Sequence, residues 1–140
     1  MAQKESIGRL ISSIHRNIYI YIDEEFKEFG IGNGQFSFLR ALQNEDGINQ
    51  ETLTAKFGVN KATTARAVAK LVKEAYVIRK RDEADKRAYK IFLTKKGREI
   101  ESKLMSVSQR LTEALTTGLT ENEKASVSYT HLTLPTKRIV

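Results

Sequence analysis

Residues Asn49 to Thr94, NQETLTAKFGVNKATTARAVAKLVKEAYVIRKRDEADKRAYKIFLT, decide how the rest of the chain is read. Asn49 is a helix-capping residue type whose side-chain oxygen can accept the amide of Glu51 or Thr52, and Glu51 suits the positive end of the helix that follows. Leu53 and Phe57, four apart, share one face. Gly58 can take the left-handed conformation that stops a helix, and Asn60 can cap the next. So short a connection predicts two helices packed through Leu53, Phe57, Val59, Ala65 and Val68, with Ala62, Ala65 and Ala69 permitting close approach.

The opposite face of the second helix, spanning about residues 60–74, carries Lys61, Thr63, Thr64, Arg66 and Lys70. Hydroxyls and ammonium groups suit phosphate oxygens, and a guanidinium can pair with guanine O6 and N7. Four of these residues fall in the first two turns, the part of a recognition helix that meets base edges. A solvated amphipathic face would look the same in isolation. The next stretch shifts the balance.

From Tyr76 to Thr94 the pattern becomes strand, with Val77 and Ile78 before a charged turn, and Tyr89, Ile91 and Leu93 alternating with Ala88, Lys90 and Phe92 after it. Between them, Arg79 to Arg87 is too polar to bury and is expected to project as a wing over about residues 79–90. Arg79, Arg81, Lys86 and Arg87 are its candidate contacts. Lys86 or Arg87 could enter a minor groove, where potential is most negative, with Asp85 expected to hold the Arg87 guanidinium extended. The expected fold class is α+β, mainly α with a small β-wing: a winged helix-turn-helix flanked by two long helices.

Leu71-Val72-Lys73-Glu74-Ala75-Tyr76-Val77-Ile78-Arg79, then Asp82, Asp85-Lys86-Arg87 and Leu93-Thr94-Lys95-Lys96-Gly97 resemble the winged-helix signature of the MarR (multiple antibiotic resistance regulator) family. The resemblance runs from about Ile7 to Glu123. It implies a transcription regulator, a repressor with a near-palindromic double-stranded DNA operator, whose recognition helix enters the major groove and whose wing arginine, Arg87, enters the minor groove. It also implies dimerisation through the long helices, and a pocket between reading head and dimer base for a small aromatic or anionic effector. Arg16, Tyr19 and Phe38 are the residues nominated to line it. Ala75 departs from the family pattern, in which Gly is common; an alanine at positive φ there would cost on the order of 1 kcal/mol.

Charge supports the same head. The chain carries a formal +7, yet residues 56–98 alone hold 14 basic and 4 acidic residues, so the remainder is acidic on balance. A positive patch of that kind favours a polyanion and predicts salt-sensitive affinity. No apolar run approaches the roughly 20 residues of a membrane span, and the N-terminus lacks a signal peptide's apolar centre, so the expected location is cytoplasmic, with no membrane partner. The absence of cysteine excludes disulfides and thiolate metal sites. His15 and His131 are isolated, and no phosphate-cradling loop, metal-ligand spacing or nucleophile elbow is present. An enzyme, a cofactor and a metal are therefore not expected. The competing class is a winged-helix module that binds protein or structured RNA without specific DNA readout.

Outside the head, Ile7, Leu10, Ile11, Ile14, Ile18, Ile22, Phe26 and Phe29 recur at three- and four-residue steps. They predict a long helix over about 5–29, capped by Ser6 and ended by Gly30. Residues 30–34 read as a break, and Gln35 to Gln43 as a short helix with Phe36, Leu39 and Leu42 inward. Asp23-Glu24-Glu25 reads as a solvated acidic run. Ile100, Leu104, Val107, Leu111 and Leu115 predict a second long helix over about 95–118, capped by Thr94 and ended by Gly118. Each stripe is longer than a small head can cover, so a second copy is the economical partner.

Thr120 and Glu123 form a capping box for one more helix. The stretch from Val127 to about Thr136 resembles the translation of a transposon-type sequencing adapter. Residues 1–125 are accordingly read as one domain with a winged core at about 34–94, the last helix cut short after about 125, and 126–140 as a non-native tail. A MarR-like chain ends in a helix that completes the dimer base, so a homodimer is expected of the natural protein and doubtful for the chain with this tail.

Overall fold

The computed structural model describes residues 6–133; the final seven residues of the expected non-native tail lie outside them. The chain divides into two compact units, residues 1–107 and 108–140.

In the first unit, α1 spans Ile7–Phe26, with the Ser6 hydroxyl accepting the Arg9 amide, and passes through a 3-10 turn at Lys27–Phe29 to Gly30. Only its C-terminal end is buried: Ile22 and Phe26 enter the core, whereas Ile7 is 75% exposed and Leu10, Ile11 and Ile14 are also exposed. The apolar stripe outruns the head, as its length predicts.

The second helix, α2, spans Asn33–Asn44, two residues earlier than its apolar positions suggest. The reason lies in α1. Asp23 accepts the Asn33 amide at 2.7 Å and holds its side-chain nitrogen as well, capping α2 from outside. Glu25 meets Lys103 at 2.6 Å. The acidic run is therefore not merely solvated, since two of its three carboxylates join elements. Phe36, Phe38, Leu39, Ala41 and Leu42 of α2 are buried, and Phe36 meets Phe26 with ring centres 5.6 Å apart.

A tight turn over residues 45–47 leads to a two-residue strand β1, Ile48–Asn49, and then into α3, Gln50–Phe57, and α4, Lys61–Lys73. Asn49 accepts the Glu51 amide at 2.8 Å, Asn60 accepts the Thr63 amide at 2.8 Å, and Gly58 is left-handed at φ 61. Each punctuation mark works as its chemistry requires. The packing face of α4 is rotated from the expected one: Thr64, Ala67, Val68 and Leu71 are buried, Ala65 is half-buried, and Ala62 and Ala69 face solvent.

The wing comprises β2, Val77–Arg81, and β3, Tyr89–Leu93, antiparallel with Val77 opposite Leu93 and Arg81 opposite Tyr89. Sheet order is β1-β3-β2, with Ile48 opposite Ile91, so the strand just before α3 is tied to the wing. Asp46 reinforces the tie by accepting the Leu93 amide at 2.8 Å. Arg79 to Arg81 thus lie in a strand, and the loop that projects is shorter than expected.

After the wing, α5 spans Lys95–Glu99 and α6 Glu101–Thr116, where one continuous helix was expected. The interruption is slight: Ile100 has ψ −5, and its amide still reaches the Lys96 carbonyl at 3.3 Å. Thr94 caps α5 and also bonds the Ala75 carbonyl at 2.6 Å. At Gly97 a Cβ would overlap the Tyr76 carbonyl oxygen, so only glycine lets α5 lie against this turn. Ala75 itself sits at φ 63.

In the second unit, Gly118 ends α6, and α7 spans Glu121–Thr133 behind the Thr120–Glu123 capping box. The helix expected to stop near residue 125 continues eight residues further. Between residues 108 and 130 none is buried.

Candidate nucleic-acid interface

The cation-bearing side of the head is assembled from α4 and the hairpin. Arg66, Lys70 and Lys73 step along α4 by four and three residues and form one exposed line opposite the buried Thr64, Ala67, Val68 and Leu71. Lys61 is exposed at the N-terminus of the helix, and Thr63 is half-buried there. The Thr63 hydroxyl donates to Asn60 at 2.9 Å and lies 3.4 Å from an Arg66 guanidinium nitrogen. It therefore positions its neighbour more than it reaches outward.

Thr64 does not belong to this surface. It is wholly buried, and its hydroxyl shares a 2.8 Å hydrogen bond with that of Thr54 across the α3–α4 interface. The signal was present in the spacing: 64, 68 and 71 step by four and three onto Leu71, which places Thr64 on the inner stripe.

The wing tip is a network of short polar turns. Asp82 accepts the Ala84 amide at 2.9 Å and Asp85 accepts the Arg87 amide at 3.0 Å. Asp85 thus holds the backbone of Arg87 and not, as expected, its guanidinium. Local geometry favours this: an aspartate two residues before an amide closes a local side-chain turn more readily than it follows a long side chain outward. Lys86 and Arg87 are exposed, and among the described residues their side-chain charges have no ion-pair partner. Arg81 donates to the Lys86 carbonyl at 2.8 Å, and both Arg79 and Arg81 place their guanidinium carbons about 5.5 Å from the Tyr89 ring centre.

The two cationic projections border a common groove. Lys61 of α4 and Arg87 of the wing line one groove of about 150 Å³, completed by Gln50, Glu51, Thr54, Ala88 and Tyr89. Gln50, Thr54 and Tyr89 were not singled out from sequence; the position of Gln50 and Thr54 in the opening turns of α3, beside a wing, could have marked them.

The nominated effector residues are not gathered into one wall. Phe38 is buried, with its ring 4.9 Å from that of Phe57 in the head. Arg16 lines an open groove along the N-terminal half of α1 with Ser6, Arg9 and Ser13, and Tyr19 packs on His15, with ring centres 4.1 Å apart. Arg16 lies ten residues before Phe26, the point where α1 meets α2, which is about 15 Å along the helix.

Among the described residues no helix is long and apolar enough to cross a membrane, and no group of three or more acidic or histidine side chains is placed to hold a metal ion.

Comparison with known proteins agrees with this architecture. The MarR family model matches residues 31–89. The uncharacterised HTH-type transcriptional regulator YybA of Bacillus subtilis (strain 168) is 32% identical over 122 residues, covering 87% of this chain and 81% of the relative. A MarR transcriptional regulator from Methanosarcina mazei Go1 superposes with a TM-score of 0.82 at 39% identity, covering 95% of this chain and 96% of its own. A mutant MarR from E. coli, solved in complex with operator DNA, superposes with a TM-score of 0.80 at 27% identity over 92% of this chain and 94% of its own. Reading head, wing and long flanking helices are thus shared almost end to end, and the chain is a member of the MarR family of winged helix-turn-helix transcription regulators.

Proposed function

We propose that this protein is a cytoplasmic regulator, a repressor, that binds a specific near-palindromic site on double-stranded DNA as a homodimer. The observation that carries the reading is the common groove between Lys61 at the head of α4 and Arg87 of the wing. A helix and a hairpin that present cations side by side can occupy a major groove and the adjoining minor groove together.

In this arrangement Arg66 reads a base edge, with Thr63 setting its pose. Lys61 and Lys70 meet phosphates, and Lys86 and Arg87 approach the minor groove. Thr64 has no part in contact. The E. coli relative solved with operator DNA supports this mode of binding over a protein- or RNA-interaction module.

Dimerisation rests on α1. Ile7, Leu10, Ile11 and Ile14 leave an apolar stripe exposed along about two turns of one helix. Burying it against a second copy places two reading heads on one duplex, which a palindromic site requires. A small aromatic or anionic effector binds at Arg16 and Tyr19, with Phe38 acting only through the packing of the head.

The test is a fluorescence-anisotropy titration with DNA from upstream of the protein's own gene and a shuffled control, at several salt concentrations. Wild type is expected to prefer the upstream fragment. Arg66→Ala is expected to lose about 1–3 kcal/mol and relax the preference, and Lys61→Ala to weaken both fragments alike and lower the salt slope by about one. Equal affinity for both fragments would end the reading.

A further inference from the structure

Tyr89 is the one aromatic side chain in the hairpin register opposite a cation: it pairs with Arg81 across the strands, and its ring lies about 5.5 Å from the guanidinium carbons of both Arg79 and Arg81. The same Arg81 reaches over the loop to the Lys86 carbonyl at 2.8 Å, one residue before Arg87. Ring, guanidinium and loop carbonyl therefore form one continuous strut from β3 to the base of the Arg87 side chain. Val77, Ile91 and Leu93, on the same side of the sheet as Arg79, Arg81 and Tyr89, are buried in the core, so the strut extends the core outward to the wing tip.

We infer that Tyr89 and Arg81 are positioning residues for the wing: they fix the direction in which Arg87 is presented. A guanidinium already committed to a ring face and a carbonyl is a poor phosphate ligand, because engaging DNA would require breaking both contacts. A hairpin without this brace would present Arg87 over a wide range of directions, and ordering it on binding would cost affinity. The inference rests on the DNA-binding reading, and it assigns Arg81 a different task from direct contact.

A double-mutant cycle tests it. Tyr89→Leu is expected to weaken operator binding roughly five- to tenfold, and Tyr89→Phe, which keeps the ring, to restore most of the affinity. In an Arg87→Ala background, Tyr89→Leu is expected to cost little more, because the two act on one contact. Additive losses would overturn the inference.

Amide hydrogen exchange on the DNA-free protein supplies an independent arm. Exchange at Asp82 and Ala88, which close the loop through their hydrogen bonds to Ala88 and Asp85, is expected to accelerate in Tyr89→Leu and not in Tyr89→Phe. Unchanged exchange would overturn the brace. Accelerated exchange in a protein without DNA preference would keep the brace and reject the functional reading.

Discussion

Replacing Ala75 with glycine is expected to stabilise the protein. Ala75 sits at φ 63, the only non-glycine residue with positive φ among those described, where an L-residue's Cβ crowds the following carbonyl at a cost of about 1–2 kcal/mol. Its side chain is exposed, so removing the methyl group forfeits no core contact. Against the relief stands the greater freedom of glycine in the unfolded chain, about 0.4–1 kcal/mol. The balance favours Ala75→Gly by about 0.5–1 kcal/mol, which for a chain of this length is a rise of about 2–4 °C in melting temperature. Thermal and urea unfolding should be followed at one fixed protein concentration, because self-association would otherwise shift the midpoint. The alanine conformation is held by the Thr94 hydroxyl on the Ala75 carbonyl, at 2.6 Å, and by the Ala75 amide on the Val72 carbonyl, at 3.0 Å, and both bonds survive the substitution. A lower melting temperature for Ala75→Gly would show that the turn is not strained.

Gly97→Ala is expected to do the reverse, because its new Cβ would overlap the Tyr76 carbonyl and force α5 off the turn; a loss of about 1–3 kcal/mol in urea unfolding is predicted. Thr64→Val removes the hydroxyl that bonds Thr54 and should cost about 1 kcal/mol of stability while leaving base preference unchanged in anisotropy titrations under folded conditions. The Tyr76 phenol is raised above its usual 10 by burial and then by the Glu74 carboxylate, and it donates to the Phe29 carbonyl at 2.6 Å. Because the folded form holds this proton more tightly than the unfolded chain, stability should be intact below pH 10 and fall as pH rises beyond it; Tyr76→Phe should flatten that alkaline decline in pH-dependent unfolding curves.

Local chemistry was legible where one residue type answers one backbone need. Asn49, Asn60 and Thr94 cap helices as their side-chain oxygens predict, Gly58 turns the chain, and the strain at Ala75 follows from its place in the family pattern. Orientation was harder. In α4 the alternation of alanine and threonine carries little hydrophobic contrast, so the helix could be phased wrongly and Thr64 placed outward; Val68 and Leu71 were the better anchors. Contacts between distant segments left no local trace: Asp23 capping α2, Glu25 with Lys103, and β1 pairing with β3 each depend on tertiary proximity. At the wing, the sequence points to Asp85 in the turn but not to its partner, since a backbone amide two residues on is nearer than a side chain that extends into solvent. The last helix extends past residue 125 although its sequence shows no apolar stripe, and nothing along it from 121 to 130 is buried.

Hydroxyl-radical footprinting on the upstream fragment, with base methylation interference on the same complex, reads major- and minor-groove engagement together. Two interference sites are expected in the major groove about one helical turn (~10 bp) apart, flanked by minor-groove protection that disappears in Arg87→Ala while the major-groove sites persist. A footprint without flanking minor-groove protection, or one that Arg87→Ala leaves intact, would contradict this mode of binding.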